Sequence, residues 1–176
     1  MKTVEMMLDL ETMSLAPNAA VVAIGAAVIY EGAITDQFYL TVSLKSCMEY
    51  GLKSDASTIL WWLKQDVEAQ KEIFGATTEL DTALVLFSRF CATYNIKGMW
   101  GNGVDFDNVI LSNAYQAVGM RTPWPYYANR CFRTIKNMYP TVQAKIEDTE
   151  IKHHALHDAR WQAEYLINLR KENNLL

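Results

Sequence analysis

The chain has 176 residues, of which 51% are hydrophobic and 20% are charged. This composition is typical of one folded domain and excludes a disordered chain. The formal net charge of −4 excludes a protein that coats nucleic acid through an overall positive charge, but leaves open binding at a local site. The sequence therefore predicts a single domain over residues 1–176.

The cysteines and the apolar segments predict where the protein is located. Cys47, Cys91 and Cys131 are separated and include no C-x-x-C motif, which favours a reducing compartment and gives no zinc framework. The apolar run of residues 19–30 is too short to cross a bilayer, and the N-terminal residues are too polar for a secretory signal. We therefore predict a cytoplasmic protein with no membrane partner.

The first part of the chain predicts three strands. Residues 4–11 and 20–30 are apolar stretches, and residues 38–42 follow the hairpin signal Glu31-Gly32. Sequential strands with tight connections predict an antiparallel meander.

The hydrophobic period then changes to that of helices. A first helix is predicted to be capped by Asp55 or Ser57. A second, amphipathic helix is predicted to begin at a capping box of Thr78 and Asp81 and to include Tyr94.

The second half of the chain predicts a short strand followed by three helices. The strand covers residues 99–100, and the helices cover residues 105–118, residues 130–139 and a final segment from about residue 155. This order of elements predicts one mixed α/β domain.

Asp9 and Glu11 lie at the end of the first predicted strand. Side chains alternate along a strand, so both carboxylates are predicted on one face. Adjacent carboxylates repel and raise each other's pKa unless a cation lies between them. These two residues alone leave two interpretations open, a cation site or a strand end in solvent.

Helical spacing distinguishes Asp107 from its neighbour Asp105. The residues three, four, seven and eleven positions after Asp107 are all apolar, whereas Asp105 shares a largely polar face with Asn108 and Ser112. Asp107 is therefore predicted to point inward, where a buried carboxylate needs a partner such as a metal ion. Compensation of the helix dipole is the alternative for Asp107, and Asp105 is predicted to be the N-cap.

All three histidines lie close together at His153, His154 and His157, next to Asp158. Asp158 is predicted in the first turn of the last helix, and His153 in the segment that leads into it. His153 and His157 also have the H-x-x-x-H spacing of zinc hydrolases. Because the glutamate of H-E-x-x-H is missing and no cysteine is nearby, a carboxylate site for Mg²⁺ or Mn²⁺ is favoured.

Three ordered motifs resemble those of the DEDDh 3′–5′ exonucleases, the DnaQ-like branch of the ribonuclease H-like superfamily. The motifs are Asp9-x-Glu11, Phe106-Asp107 and His153-x-Ala155-x-x-Asp158. Five further segments resemble the ribonuclease AS-like exoribonuclease subfamily and the DexA-type phage exonucleases. These segments are residues 7–13, Trp61-Trp62-x-x-Gln65, residues 100–103, Pro123-Trp124 and residues 130–134. His154 and His157 depart from the residues common in relatives, but neither is a ligand or base position.

The resemblance implies a fold, a reaction and roles for five residues. The fold is a ribonuclease H-like α/β fold, a mixed five-stranded sheet flanked by helices. The reaction is release of 5′-mononucleotides from the 3′ end of single-stranded RNA or DNA, with RNA slightly favoured. Asp9, Glu11, Asp107 and Asp158 are implied to bind two divalent ions, Mg²⁺ or Mn²⁺, and His153 is implied to be the general base. A DNA-specific phage-type or proofreading exonuclease and a non-catalytic nucleic-acid-binding relative are the alternatives.

The predicted substrate-binding residues are Leu10, Thr12, Met13, Asn102, Arg130 and Arg133. The first three adjoin the metal site, where the resemblance implies that the terminal base and sugar bind. The arginines are predicted to contact backbone phosphates, and the asparagine either contacts the nucleotide or shapes its turn.

Aromatic residues provide further candidate contacts. Trp61, Trp62 and Trp124 are predicted to stack on bases, with core packing favoured for at least one of the first two. The aromatic segment of residues 124–127 is predicted to be exposed and is a candidate interface for a homodimer.

Overall fold

The structure, a computed structural model, describes residues 1–142 and 153–175. A five-stranded sheet has the strand order β3-β2-β1-β4-β5. Its strands are β1 (Lys2–Thr12), β2 (Val21–Tyr30), β3 (Ala33–Thr41), β4 (Tyr94–Gly101) and β5 (Asn129–Cys131). β1, β2 and β3 pair antiparallel, whereas β4 runs parallel to β1 and β5. The predicted antiparallel meander and mixed sheet are confirmed.

Helices cover both faces of this sheet. They are α1 (Leu44–Glu49), α2 (Ala56–Trp62), α3 (Val67–Phe74), α4 (Leu80–Cys91), α5 (Asp107–Ala117), α6 (Phe132–Met138) and α7 (Ala155–Glu172), and a 3-10 turn covers Tyr126–Ala128. Asp55 caps α2 as predicted, because its Oδ1 accepts a 2.8 Å hydrogen bond from the backbone nitrogen of Ser57. In the parts of the chain that the structure describes, no helix is long and apolar enough to cross a membrane.

The alternation along β1 divides the core into two layers. Met6 and Leu8 pack with residues of α4 and α5 on one face. Met7 packs with residues of α6 and α7 on the other face. Asp9 and Glu11 share the face of Met7, so the strand directs both acids towards the α7 side of the sheet.

The predicted boundaries around α4, β4 and β5 are wrong. α4 begins after Glu79 without a side-chain cap, so Thr78 lies one position before the N-cap and the predicted capping box does not form. Tyr94 belongs to β4, where it pairs with Lys2 of β1. The start of the predicted helix at residues 130–139 is β5, since Arg130 pairs with Trp100.

Candidate active site

Gly25 allows the start of α7 to lie directly on the sheet beside Asp9. Gly25 pairs with Asp9 across β1 and β2. A Cβ at Gly25 would overlap backbone atoms of Ala155 and Leu156, well inside 3.0 Å. The close approach brings the first turn of α7 to the end of β1, and oxygens of Asp9, Glu11 and Asp158 all lie within 4.8 Å of one another.

Asp107 reaches the same site from the first turn of α5. A Cβ at Gly101, the last residue of β4, would overlap Oδ1 of Asn108 and lie 3.1 Å from Cβ of Asp107, so glycine permits this approach as well. Asp107 is only 2% exposed. Its carboxylate accepts hydrogen bonds from the backbone nitrogens of Leu10 at 3.2 Å and Asn102 at 3.0 Å. These two bonds fix the carboxylate between the ends of β1 and β4.

Asp105 does not cap α5, which corrects the sequence prediction. The N-cap position is Phe106, with no side-chain capping bond. A turn precedes the helix, in which the backbone nitrogen of Phe106 donates to Gly103. Asp105 is exposed while Asp107 is buried, and the inward position of Asp107 agrees with its helical spacing.

Burial raises the pKa of three acids of the site, and repulsion by neighbouring acids raises two of these pKa values further. Burial raises the pKa of Asp9 well above its ordinary value, and the charges of Asp107, Glu11 and Asp158 raise it further. Burial, followed by the charges of Asp158 and Asp107, raises the pKa of Glu11 to about 8. Burial raises the pKa of Asp107 to about 7 against the opposing effect of its backbone hydrogen bonds. A divalent cation offsets this repulsion, so the donor set fits a metal centre.

Gln162 is a component of the site that the sequence analysis missed. Its Nε2 donates a 2.7 Å hydrogen bond to Oδ1 of Asp9, and the side chain is buried. This bond orients Asp9 and opposes the rise of its pKa. Gln162 follows Asp158 by four positions on α7, and this spacing along one helix face is the signal that identifies it.

His153 contacts a wall of the cavity beside the acids. The residue precedes α7 in a left-handed backbone conformation, with a φ of 59°. Its ring centroid lies 4.7 Å from that of Trp61, at an interplanar angle of 76°. Trp61 and Glu11 line the same cavity. His153 therefore packs against a residue that shares this cavity with one of the acids.

The cavity has a volume of about 380 Å³, within the range of small-ligand sites. Its lining residues are Leu10, Glu11, Thr12, Leu15, Ser57, Thr58, Trp61, Trp62 and Phe106. Trp61 is 41% exposed and is available for stacking. Trp62 is buried, and its Nε1 donates a 3.1 Å hydrogen bond to the backbone oxygen of Thr12. Core packing therefore accounts for Trp62.

Met13 does not line this cavity, contrary to its predicted substrate contact. Its side chain is completely buried in the core. Its backbone nitrogen donates to Ala20, and its backbone oxygen accepts from Asp55. Met13 therefore has no surface left for a substrate, whereas Leu10 and Thr12 do line the cavity.

Arg133 and Asn102 lie next to Asp107. Nη2 of Arg133 donates a 2.6 Å hydrogen bond to the backbone oxygen of Asn102, whose backbone nitrogen donates to Asp107. The charge of Arg133 also lowers the pKa of Asp107. Arg130 is exposed on β5, and its Nη1 donates to the backbone oxygens of Tyr127 and Asn129.

Trp124 is buried, which corrects both of its predicted roles. Its Nε1 donates a 2.9 Å hydrogen bond to Oδ1 of Asn129, and its ring contacts Tyr115 edge to face. Trp124 therefore neither stacks on a base nor contributes to an interface. The exposed aromatic residues of this segment are Tyr126 and Tyr127.

The histidines do not converge as zinc ligands. The ring of His154 stacks on Tyr39 and on His157, both at 4.1 Å between centroids. Nε2 of His154 lies 3.7 Å from a carboxylate oxygen of Glu72, while His153 contacts Trp61. Within residues 1–142 and 153–175, the group with metal-ligand geometry is the acidic one at the end of β1.

Comparisons with known proteins agree with this geometry. The family model described as the 3′-5′ exoribonuclease Rv2179c-like domain matches residues 4–169. No curated protein matches the sequence significantly. A zinc-bound structure of E. coli exonuclease I with single-stranded DNA has a TM-score of 0.71 and 12% identity, covering 99% of this chain and 42% of that chain. A product-bound structure of exonuclease I has a TM-score of 0.70 and 11% identity, covering 99% and 45% respectively. The chain spans less than half of these exonuclease I chains, and the likeness confirms the predicted ribonuclease H-like fold.

Proposed function

The chain belongs to the family of 3′-5′ exoribonuclease Rv2179c-like domains, and on this basis we propose that it removes 5′-mononucleotides from the 3′ end of single-stranded RNA. Family membership supports the exonuclease activity. The observation that carries the proposal is the convergence of Asp9, Glu11 and Asp158 within 4.8 Å, with the buried Asp107 close enough to raise the pKa of Asp9.

The four acids fit two divalent ions, Mg²⁺ or Mn²⁺, which prefer oxygen ligands. Asp9, Glu11 and Asp158 would hold one ion. Each oxygen of Asp107 accepts one backbone hydrogen bond and retains a lone pair for a second ion. When bound, two such ions supply charge stabilisation for the phosphate and its leaving oxygen, and a lowered pKa for the attacking water.

His153 is the proposed general base. An imidazole has an ordinary pKa of ~6.5 and accepts a proton from water effectively near neutral pH. The edge contact with Trp61 limits the positions of its ring. His153 leads directly into the helix that carries Asp158, so the base and a metal ligand are positioned by one segment.

The cavity of about 380 Å³ is proposed to bind the nucleoside at the 3′ end. Leu10 and Thr12, the neighbours of Glu11 that line the cavity, are proposed to contact the sugar and base, and Trp61 is proposed to stack on the base. Asn102 and Arg133, which lie beside Asp107, are proposed to contact the scissile phosphate, and Arg130 a neighbouring phosphate.

The alternatives to RNA hydrolysis are a DNA exonuclease and a non-catalytic relative. A DNA exonuclease is favoured by the similar structures, since exonuclease I is found with single-stranded DNA and with a dA16 oligonucleotide. We nevertheless propose RNA as the substrate, because the family to which the chain belongs is described as exoribonuclease-like. A non-catalytic relative is disfavoured, because buried acids without a cation destabilise the fold and serve no purpose without catalysis.

We expect the protein to shorten RNA labelled at its 5′ end, releasing 5′-mononucleotides in Mn²⁺ or Mg²⁺ and nothing in EDTA. RNA is expected to be degraded faster than DNA of the same sequence. Gel electrophoresis follows the shortening, and chromatography identifies the products. The matched control is the same RNA closed into a circle, which has no 3′ end and is expected to remain intact. Cleavage of the circle, or equal digestion in EDTA, would contradict the proposal.

A further inference from the structure

One long segment of this acidic protein contains no acidic residue. The chain has 20 Asp and Glu residues against 16 Lys and Arg. Residues 108–142 include neither Asp nor Glu, but they include Arg121, Arg130, Arg133 and Lys136. Nucleic acid binding by an acidic protein requires such a local separation of charge.

The segment also presents two tyrosines on a well-anchored turn. Tyr126 is 84% exposed and Tyr127 is 71% exposed, and their ring centroids lie 5.6 Å apart at an angle of 77°. The buried Trp124 anchors the turn through its hydrogen bond to Asn129. The anchored turn therefore holds two aromatic rings in solvent, where they cover no part of the described core.

The arginines connect these tyrosines to the acids of the active site. Arg130 is bonded to the backbone oxygen of Tyr127 at 2.7 Å. Arg133, three residues further along, is bonded to Asn102, whose backbone nitrogen binds Asp107. Because β5 runs parallel to β4, the chain leads from the tyrosines towards the carboxyl end of β4, beside which Asp107 lies in the first turn of α5. We define the tyrosine–arginine face as Tyr126, Tyr127, Arg130 and Arg133.

We propose that the tyrosine–arginine face binds the part of a single-stranded nucleic acid that lies upstream of its 3′-terminal nucleotide. The inference rests on the proposed exonuclease function and extends its substrate site beyond one nucleotide. Exposed aromatic rings stack on bases of any sequence, and the arginines contact phosphates. Exposed tyrosines alone would equally fit a second copy of the chain, but the two arginines of the face, which belong to a segment without Asp or Glu, favour a polyanion.

The test compares long and short substrates with the double variant Tyr126→Ala/Tyr127→Ala. The KM for a long single-stranded oligonucleotide is expected to rise roughly tenfold. The KM for a dinucleotide is expected to stay unchanged, because its scissile phosphate contacts Arg133 and its two nucleotides end before Tyr126 and Tyr127. Tyr50→Ala is the matched control, since Tyr50 is exposed but lies near Asp81, whose charge raises its pKa. This control is expected to behave as the wild type with both substrates.

Binding of a fluorescent long oligonucleotide without divalent ions provides a second measurement that does not depend on cleavage. The double variant is expected to bind roughly tenfold more weakly than the wild type. A wild-type protein that binds but never cleaves would refute the proposed function and leave this comparison valid. Equal binding by variant and wild type, or an equal rise of KM for the dinucleotide, would overturn the inference. The inference would also be overturned if the wild type sediments as a dimer and the double variant as a monomer while both bind the oligonucleotide equally. The face would then be the interface of a homodimer.

Discussion

Asp158→Asn is expected to reduce exonuclease activity by about 10³-fold or more, equivalent to about 4 kcal/mol of transition-state stabilisation. The amide keeps the size of the side chain but removes a charge from the acidic group at the end of β1. The fold is expected to survive, because the charge of Asp158 raises the pKa of both Asp9 and Glu11. Its removal lessens this repulsion, so the metal-free variant is expected to melt at or above the wild-type temperature.

Asp105→Asn is the matched control for this variant. Asp105 is an exposed acid in the turn before α5, close to the site but outside the group of Asp9, Glu11 and Asp158. Its activity and melting temperature are expected to equal those of the wild type. Full activity of Asp158→Asn, or a larger loss in Asp105→Asn, would contradict the assignment of the ligands.

Gly25→Ala is expected to destabilise the protein by about 3 kcal/mol and to reduce activity by about 100-fold. The new methyl group would overlap backbone atoms of Ala155 and Leu156, which cannot rotate away as a side chain does. The start of α7 must therefore move off the sheet, and Asp158 moves with it. Chemical denaturation measures the stability, and digestion of RNA measures the activity.

Gly98→Ala is the corresponding substitution in β4. A Cβ at Gly98 would lie 3.1 Å from Oε1 of Glu5, a flexible side-chain atom that can shift. Gly98→Ala is expected to keep most of the activity and to cost less stability than Gly25→Ala. Equal activity losses in the two glycine variants would show that the contact between β2 and α7 does not position the site.

Periodicity in the sequence predicted side-chain directions correctly within regular strands and helices, where the local geometry of the element determines them. The alternation along β1 placed Asp9 and Glu11 on one face, and the phase of α5 separated the buried Asp107 from the exposed Asp105. Both are local properties of regular elements. The five-stranded sheet followed from the family resemblance, since β5, with three residues, is too short to have a recognisable period.

Features that depend on distant contacts were missed or predicted wrongly. Gln162 binds Asp9 across the whole length of the sequence, and the closeness of β2 and α7 at Gly25 has no local signal. Met13 and Trp124 were predicted to be accessible from their neighbours in sequence, whereas tertiary packing buries both. Their burial is decided by segments that sequence patterns do not place in space.

A calorimetric titration of Mn²⁺ tests the central claim most directly. Since burial raises the pKa of Glu11 to about 8 and that of Asp107 to about 7, both carboxyls carry protons at lower pH that an ion must displace. Mn²⁺ is therefore predicted to bind more tightly at about pH 8 than at about pH 6, to release protons on binding, and to bind Asp158→Asn much more weakly at both values. Affinity that is independent of pH and unchanged in Asp158→Asn would contradict a metal centre built from these acids.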